Sequence, residues 1–223
     1  MLSKKQIAQR IASEIKDGQY IYLGIGIPTL IANYLPEQLQ VVFQSENGLL
    51  GIGPYPEKED MDPDIINASK ETISMVKGSS LFDSAEAFAM IRGGHIELSI
   101  LGALEVSENG DISNWKISSG LIKGVGGALD LVASEAKLYV AMHHCHKDGS
   151  SKLLKHCGMP ITGIKCVQKI FTDLGVFTIL PEGGFKLCER APGVTIEEIK
   201  AKTEGRLVIK GEIKEMEFFA LDK

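Results

Sequence analysis

No apolar run in this sequence reaches the roughly 20 residues of a bilayer-spanning helix; glycine or charge breaks each stretch well before that length. A membrane-embedded chain is thereby excluded. Aromatic residues are sparse, at 6%, and no basic run interleaves with them. With 24 Lys and Arg against 29 Asp and Glu the formal net charge is -5, so the basic stripe of a nucleic-acid-binding protein is missing. Cysteine is scarce too: Cys145, Cys157, Cys166 and Cys188, without an export signal, read as reduced thiols rather than a disulfide framework. The opening MLSKKQIAQRIASEIKDG lacks the apolar region and small-residue cleavage site of a secretory signal and carries Glu14 and Asp17. It reads as a helix kept in a mature, cytoplasmic protein.

What remains is ordinary globular composition, 44% hydrophobic and 24% charged. The 223 residues suffice for one domain, 1–223, with a substantial core, and no repeat, low-complexity tract or linker divides them. Ile7, Ile11 and Ile15 recur at helical spacing before Asp17-Gly18. YIYLGI predicts a strand, Pro28 opens a helix over PTLIANYL, and VVFQS predicts a second buried strand. DSAEAFAMIRGG reads as a capped helix, IELSILGAL and KLYVAMH as further strands. KIFTDLGVFTILPEGGFKLCERAPG predicts a strand pair around Pro181 to Gly184, and Thr195 with Glu198 a capping box on IEEIKAKTEG. This alternation predicts an α/β fold with an open, largely parallel sheet flanked by helices. The Gly-, Asn- and Ser-rich stretch from SENGDISNWKISSG to GLIKGVGGALD adds hairpins and loops at one end.

Several stretches could carry chemistry. Glu46, in QSENGLLGIGPYP, stands where the strand VVFQS ends, and parallel sheets bind ligands at the carboxyl ends of their strands. Its carboxylate suits a general base or a nucleophile; a solvated Asn-Gly turn explains the same residues. GIGIP and KGVGGALD each precede a helix, where backbone amides can face an anion, but neither fits a dinucleotide or phosphate-loop motif, and close packing explains isolated glycines equally well. HHCH at 143–146, followed by His156-Cys157, matches no zinc spacing, and consecutive residues of a strand face opposite ways, so no metal is expected. Lys70-Glu71 reads either as a loop ion pair or as a substrate-carboxylate contact. Serine acyl-transfer signatures are absent.

Taken in order, YLGIGIPTLIANYLP, QSENGLLGIGPYP, DPDIINASKET, FDSAEAFAMIRGGHIELSILGALEV, NW and KGVGGALDLV closely resemble the B (beta) subunit of the 3-oxoacid CoA-transferases, over nearly the whole chain. The resemblance implies a CoA-transferase-like three-layer fold and makes Glu46 the nucleophile that carries CoA as a glutamyl thioester. It implies that Gly124, Gly126, Gly127 and Ala128 line that thioester through backbone amides, with Lys70, Asn47 and Tyr22 on the substrate side. No cofactor is implied, coenzyme A being a substrate. The implied partner is the A (alpha) subunit of a CoA-transferase, in a heterodimer or doubled heterotetramer, with acyl-CoA and carboxylic acids as small-molecule partners. Succinyl-CoA and acetoacetate enzymes of the family tend to read NAGKET where this chain has NASKET, and acetate and butyrate enzymes tend to carry glycine at the lysine. Lys70 therefore points to a succinyl donor; an acetate or butyrate enzyme, or a relative without turnover, are the alternatives. Two departures stand out: Tyr22 replaces the asparagine of VNLGIGIP, and Met142-His143-His144 replaces MEH.

Overall fold

The computed structural model describes residues 1–36, 38–116 and 125–218. Its centre is a parallel array. Strands β1 (Tyr20–Leu23), β2 (Val42–Ser45), β5 (Leu98–Leu101), β8 (Lys137–Ala141) and β10 (Val167–Phe171) lie in the order β10-β8-β5-β1-β2, each parallel to its neighbours. Antiparallel strands extend both sides: β3 (Leu49–Ile52) and β4 (Met75–Leu81) beyond β2, β11 (Gly175–Ile179) and β12 (Phe185–Arg190) beyond β10. The short strands β13 (Leu207–Val208) and β14 (Lys214–Glu215) both pair with β12 and complete an 11-stranded sheet. A second sheet joins β6 (Glu105–Ser107), β7 (Ile112–Ser113) and β9 (Leu153–Leu154).

Helices cover the parallel part. α1 (Lys4–Ala12) packs on a 3-10 segment, Pro28–Tyr34, and α2 (Ser84–Arg92) on α3 (Ala128–Ala133); α4 (Ile196–Lys202) follows β12. The two faces can be told apart along β2. Phe43 and Ser45 share a small cavity with Thr29, Ala32 and Asn33, whereas the Gln44 amide reaches Ala87 O of α2 at 3.1 Å. Strand alternation thus sends odd-numbered β2 residues to the Pro28–Tyr34 side and Gln44 to the α2 side. The core is aliphatic, with Ile7, Ile11, Ile21, Ile31, Ile91 and Ile100 all at 0–1% exposure.

The expected α/β architecture is the one observed, with local differences. PTLIANYL forms 3-10 rather than α-helix, and LLGI is a strand, so SENG closes a β2–β3 hairpin. Glu198 completes only half of its box: Thr195 Oγ1 accepts from the Glu198 amide at 3.1 Å, but the Glu198 carboxylate turns to Lys202 Nζ at 2.6 Å. A reciprocal box forms instead at Ser3 and Gln6, opening α1. Ile15 lies beyond the end of α1 yet stays in the core.

The HHCH stretch is structural at its centre. His144 is fully buried, between Thr172 Oγ1 at 3.1 Å from Nδ1 and Thr203 Oγ1 at 3.0 Å from Nε2. The Thr203 hydroxyl donates to Ile199 O and the Thr172 hydroxyl to Gly175 O, so either can accept from the ring nitrogen it faces. Both ring nitrogens are thus engaged, and no three His, Cys, Asp or Glu side chains converge as metal ligands among the described residues. Burial pushes the imidazole down to about 4, with Lys202 adding to the drop and Asp173 opposing it. The unfolded chain takes up this proton below about pH 6.5 and the folded one only near 4, so between those values the unfolded state binds more protons. Stability attributable to His144 is full at neutral pH and falls by about 3 kcal/mol on acidification to pH 4. Urea unfolding of His144→Gln at pH 7 and pH 4 is expected to show a pH difference smaller by that amount; an undiminished difference refutes the assignment.

Candidate active site

The parallel strands all end on one edge, and the loops beyond them carry the polar side chains. Immediately past β2 the chain turns within Ser45-Glu46-Asn47-Gly48: the Gly48 amide donates to Ser45 O at 3.0 Å, and Gly48 adopts φ +109°. A side chain there is excluded twice, by the left-handed backbone and by Phe82 O, which occupies the place of a Cβ. Ser45 Oγ donates to Asn47 Oδ1, and Asn47 Nδ2 donates to Ile66 O at 2.7 Å. The exposed Asn47 thereby ties the turn to the 66–72 segment.

Glu46 is half-buried on the opposite side of the hairpin from Ser45. Tyr22 Oη donates to its Oε2 at 3.0 Å. Tyr22 is 4% exposed, on β1, where its register neighbours are Gln44 on β2 and Ser99 on β5. All three side chains share the α2 face, so a buried polar row underlies the carboxylate. Burial, then the charge and hydrogen bond of Glu46, hold the Tyr22 phenol protonated well above the ordinary tyrosine range. The Tyr22 hydroxyl therefore meets the carboxylate as a neutral donor.

Gly127 closes the site from above. It precedes α3 with φ -71° and ψ -3°, a backbone any residue adopts, yet a Cβ built there overlaps Glu46 Oε2 and lies 2.7 Å from the Phe88 ring. A side chain here meets no backbone obstacle but would have to displace Glu46 or Phe88. Gly126 is the reverse case, with φ +55° and open space around its Cα. The Ala128 amide turns back to Val125 O at 3.4 Å. Gly124 lies outside the described residues.

Tyr22, Gly127 and Glu46 are thus brought together; Lys70 lies on the 66–72 segment that Asn47 ties to the turn. Lys70 is exposed, at φ +63°, on a turn in which its amide donates to Asn67 O at 2.9 Å. Glu71 is engaged by Tyr55 Oη at 3.0 Å and Asn67 Nδ2 at 2.9 Å, and no Lys70–Glu71 ion pair forms among the described residues. Gly53, Pro54 and Tyr55 of the GPYP segment line the cavity of about 40 Å³ shared with Ser45, Asn67 and Ser69, on the face away from Glu46. Phe88 went unrecognised from sequence; its only local signal is helical spacing to Ile91, which reads as core.

The sequence profile of the coenzyme A transferase family matches residues 4–202. A probable B subunit of the succinyl-CoA:3-ketoacid coenzyme A transferase of Bacillus subtilis is 53% identical over 207 residues, 93% of this chain and 95% of that protein. The beta subunit of the acetate CoA-transferase of Escherichia coli K12 is 43% identical over 213 residues, 96% of this chain and 97% of that one. Among solved structures, an acyl-CoA transferase apoenzyme from Escherichia coli O157:H7 superposes with a TM-score of 0.76 at 20% identity, covering 99% of this chain and 45% of the other. That superposition bears on the fold alone, and this chain spans about half of that longer protein.

Proposed function

From the premise that this chain belongs to the coenzyme A transferase family, we propose that it is the subunit carrying the nucleophile of a succinyl-CoA:3-oxoacid CoA-transferase. The observation that carries the reading is the setting of Glu46: a carboxylate at the carboxyl edge of a parallel sheet, held by Tyr22 and fitted under Gly127. Glu46 attacks the thioester carbonyl of an acyl-CoA, the C–S bond breaks, and a mixed anhydride and CoA thiolate result. The thiolate attacks the glutamyl carbonyl, the carboxylic acid leaves as its anion, and CoA stays on Glu46 as a thioester. An incoming 3-oxoacid carboxylate reverses the sequence. Protons balance without a general base, and coenzyme A enters as substrate with no cofactor.

A partner alpha subunit, in a heterodimer doubled to a heterotetramer, is part of this reading. Large apolar side chains stand exposed on the segments around Glu46: Ile25 after β1 at 66%, Leu81, the ladder partner of Leu49, at 61%, and Leu129, just past Gly127, at 51%. Apolar surface of this kind suits an interface with another chain. The four cysteines are all free, which suits a reducing, cytoplasmic setting, and no helix among the described residues is long and apolar enough to cross a membrane.

Hydride trapping tests the nucleophile. The two-chain enzyme, incubated with acyl-CoA and then borohydride, yields a reduced glutamyl residue in the peptide containing Glu46; unmodified peptide from an enzyme shown to bind CoA refutes the reading.

Lys70 supplies the preference for a dicarboxylate donor. A lysine held in the left-handed region costs about 1 kcal/mol, and such strain concentrates at functional sites. Lys70→Gly is expected to stabilise the fold by up to about 1 kcal/mol while raising KM for succinyl-CoA about tenfold, the value of one hydrogen bond to a charged group. Equal KM values for succinyl-CoA before and after the exchange shift the assignment to the acetate or butyrate alternative.

A further inference from the structure

The contact between Tyr22 and Glu46 makes the two carboxylate oxygens unequal. Oε2 accepts the phenol O–H at 3.0 Å and lies beneath Gly127, whereas Oε1 accepts no hydrogen bond among the described residues. The phenol cannot swing away, because Tyr22 sits within β1 between two paired strands and is 4% exposed. Which oxygen attacks is therefore decided by the fold.

We propose that Tyr22 is a catalytic hydrogen-bond donor to the glutamyl carbonyl: it pins Oε2, leaves Oε1 to attack, and then donates to Oε2 as negative charge develops there. The proposal rests on the reading of Glu46 as the nucleophile and assigns each oxygen a fate. When Oε1 attacks the acyl carbon and the C–S bond breaks, Oε1 becomes the bridging oxygen of the anhydride and Oε2 its glutamyl carbonyl oxygen. The expelled thiolate then adds to Glu46 Cδ, and the carbonyl electron pair moves onto Oε2, already in contact with the Tyr22 O–H. Collapse of this adduct restores the carbonyl, breaks the Cδ–Oε1 bond and releases the acyl group with Oε1 as its carboxylate. The proton remains on the phenol throughout. The same donor serves the return half-reaction, in which an acceptor carboxylate adds to the glutamyl thioester and charge again collects on the carbonyl oxygen.

A fixed donor in a buried site needs no reorganisation when charge appears, and removing one such donor costs about 10²- to 10³-fold in turnover. Burial of Tyr22 keeps it a donor across the working pH range. The resting carboxylate spreads its charge over two oxygens, whereas each adduct concentrates it on Oε2, so the contact strengthens there and its loss is expected in kcat with KM for acyl-CoA little changed.

The test uses the assembled two-chain enzyme. Tyr22→Phe is expected to lower both turnover and the rate at which hydride-trappable thioester forms on Glu46 by about 10²-fold, with KM for acyl-CoA within about twofold of wild type. Fluorotyrosines placed at position 22 alone are expected to raise the rate as the phenol becomes more acidic; a role in packing predicts no such trend. Wild-type thioester formation in Tyr22→Phe, or a flat response across the fluorinated series, overturns the proposal while leaving Glu46 as nucleophile. Failure to trap any adduct on Glu46 in the unmodified enzyme overturns the underlying reading instead. Should the phenylalanine variant not fold, the fluorinated series decides by itself, since each member retains the phenol.

Discussion

Glu46→Gln in the assembled enzyme lowers turnover by at least about 10⁴-fold and abolishes the hydride-trappable adduct, as expected when the nucleophile itself is removed. Glutamine keeps the shape of the side chain and an oxygen for Tyr22, but its neutral amide cannot attack a thioester. Glu108→Gln is the informative control, because the chain contains the tetrapeptide SENG twice, at 45–48 and at 107–110. Both copies close antiparallel hairpins, β2–β3 and β6–β7, with the glycine amide donating to the serine carbonyl at 3.0 and 2.9 Å and the glycine at positive φ. Both show the same burial along the four residues: serine buried, glutamate intermediate, asparagine exposed, glycine buried. Their surroundings differ. Glu46 meets Tyr22 and Gly127, whereas Glu108 accepts the backbone amide of Arg206 at 2.6 Å in the second sheet. Turnover within about twofold of wild type is expected for Glu108→Gln, the usual outcome away from reacting groups. Equal losses at both positions would contradict the assignment of the nucleophile to the first copy.

Gly127→Ala, a single methyl group, is expected to cost about 10³-fold in turnover while leaving the fold in place. The backbone at 127, the N-cap of α3, already lies in the right-handed region, so alanine introduces no backbone strain. The added Cβ, however, overlaps Glu46 Oε2 and crowds Phe88 at 2.7 Å. Restoring a van der Waals distance of about 3.5 Å moves the carboxylate by more than about 1 Å. A displacement of about 1 Å costs about 10²-fold, and weakening the Tyr22 contact that depends on the same oxygen adds about another factor of ten. Circular dichroism and the unfolding midpoint are expected to stay near wild type; a variant with full turnover refutes the packing of Gly127 on Glu46. Gly126→Ala contrasts with it, since φ +55° makes that exchange a backbone problem, read in stability before activity.

The elements were legible from sequence where local chemistry decides them. Apolar spacing in IAQRI, the caps at Asp83 and Thr195, and the β-branched strands YIYL and VFQS correspond to observed elements. Differences arise where long-range pairing competes with local preference. LLGI carries no strict alternation, and becomes a strand because β2 and β4 both offer it partners. Glu198 abandons the reciprocal capping bond because Lys202, one turn on, offers it a charge. His144 appeared as one member of a metal-like run, but its neighbours in space are two threonines contributed from β10's end and from α4's C-cap.

By itself the sequence determined the alternation of strands and helices, the turn at Ser45-Glu46-Asn47-Gly48, and, through extended resemblance, the family and the residue to suspect first. The tertiary structure adds what surrounds each of the two SENG turns. A turn is specified by four residues and the φ of its glycine, so identical tetrapeptides fold alike. Reactivity belongs instead to what stands within a few ångströms of the carboxylate, and Tyr22 and Gly127 reach Glu46 across 24 and 81 positions of chain. Gly127 likewise read as a helix-start glycine; that its missing methyl group makes room for Glu46 Oε2 is a fact of packing, which no local pattern encodes.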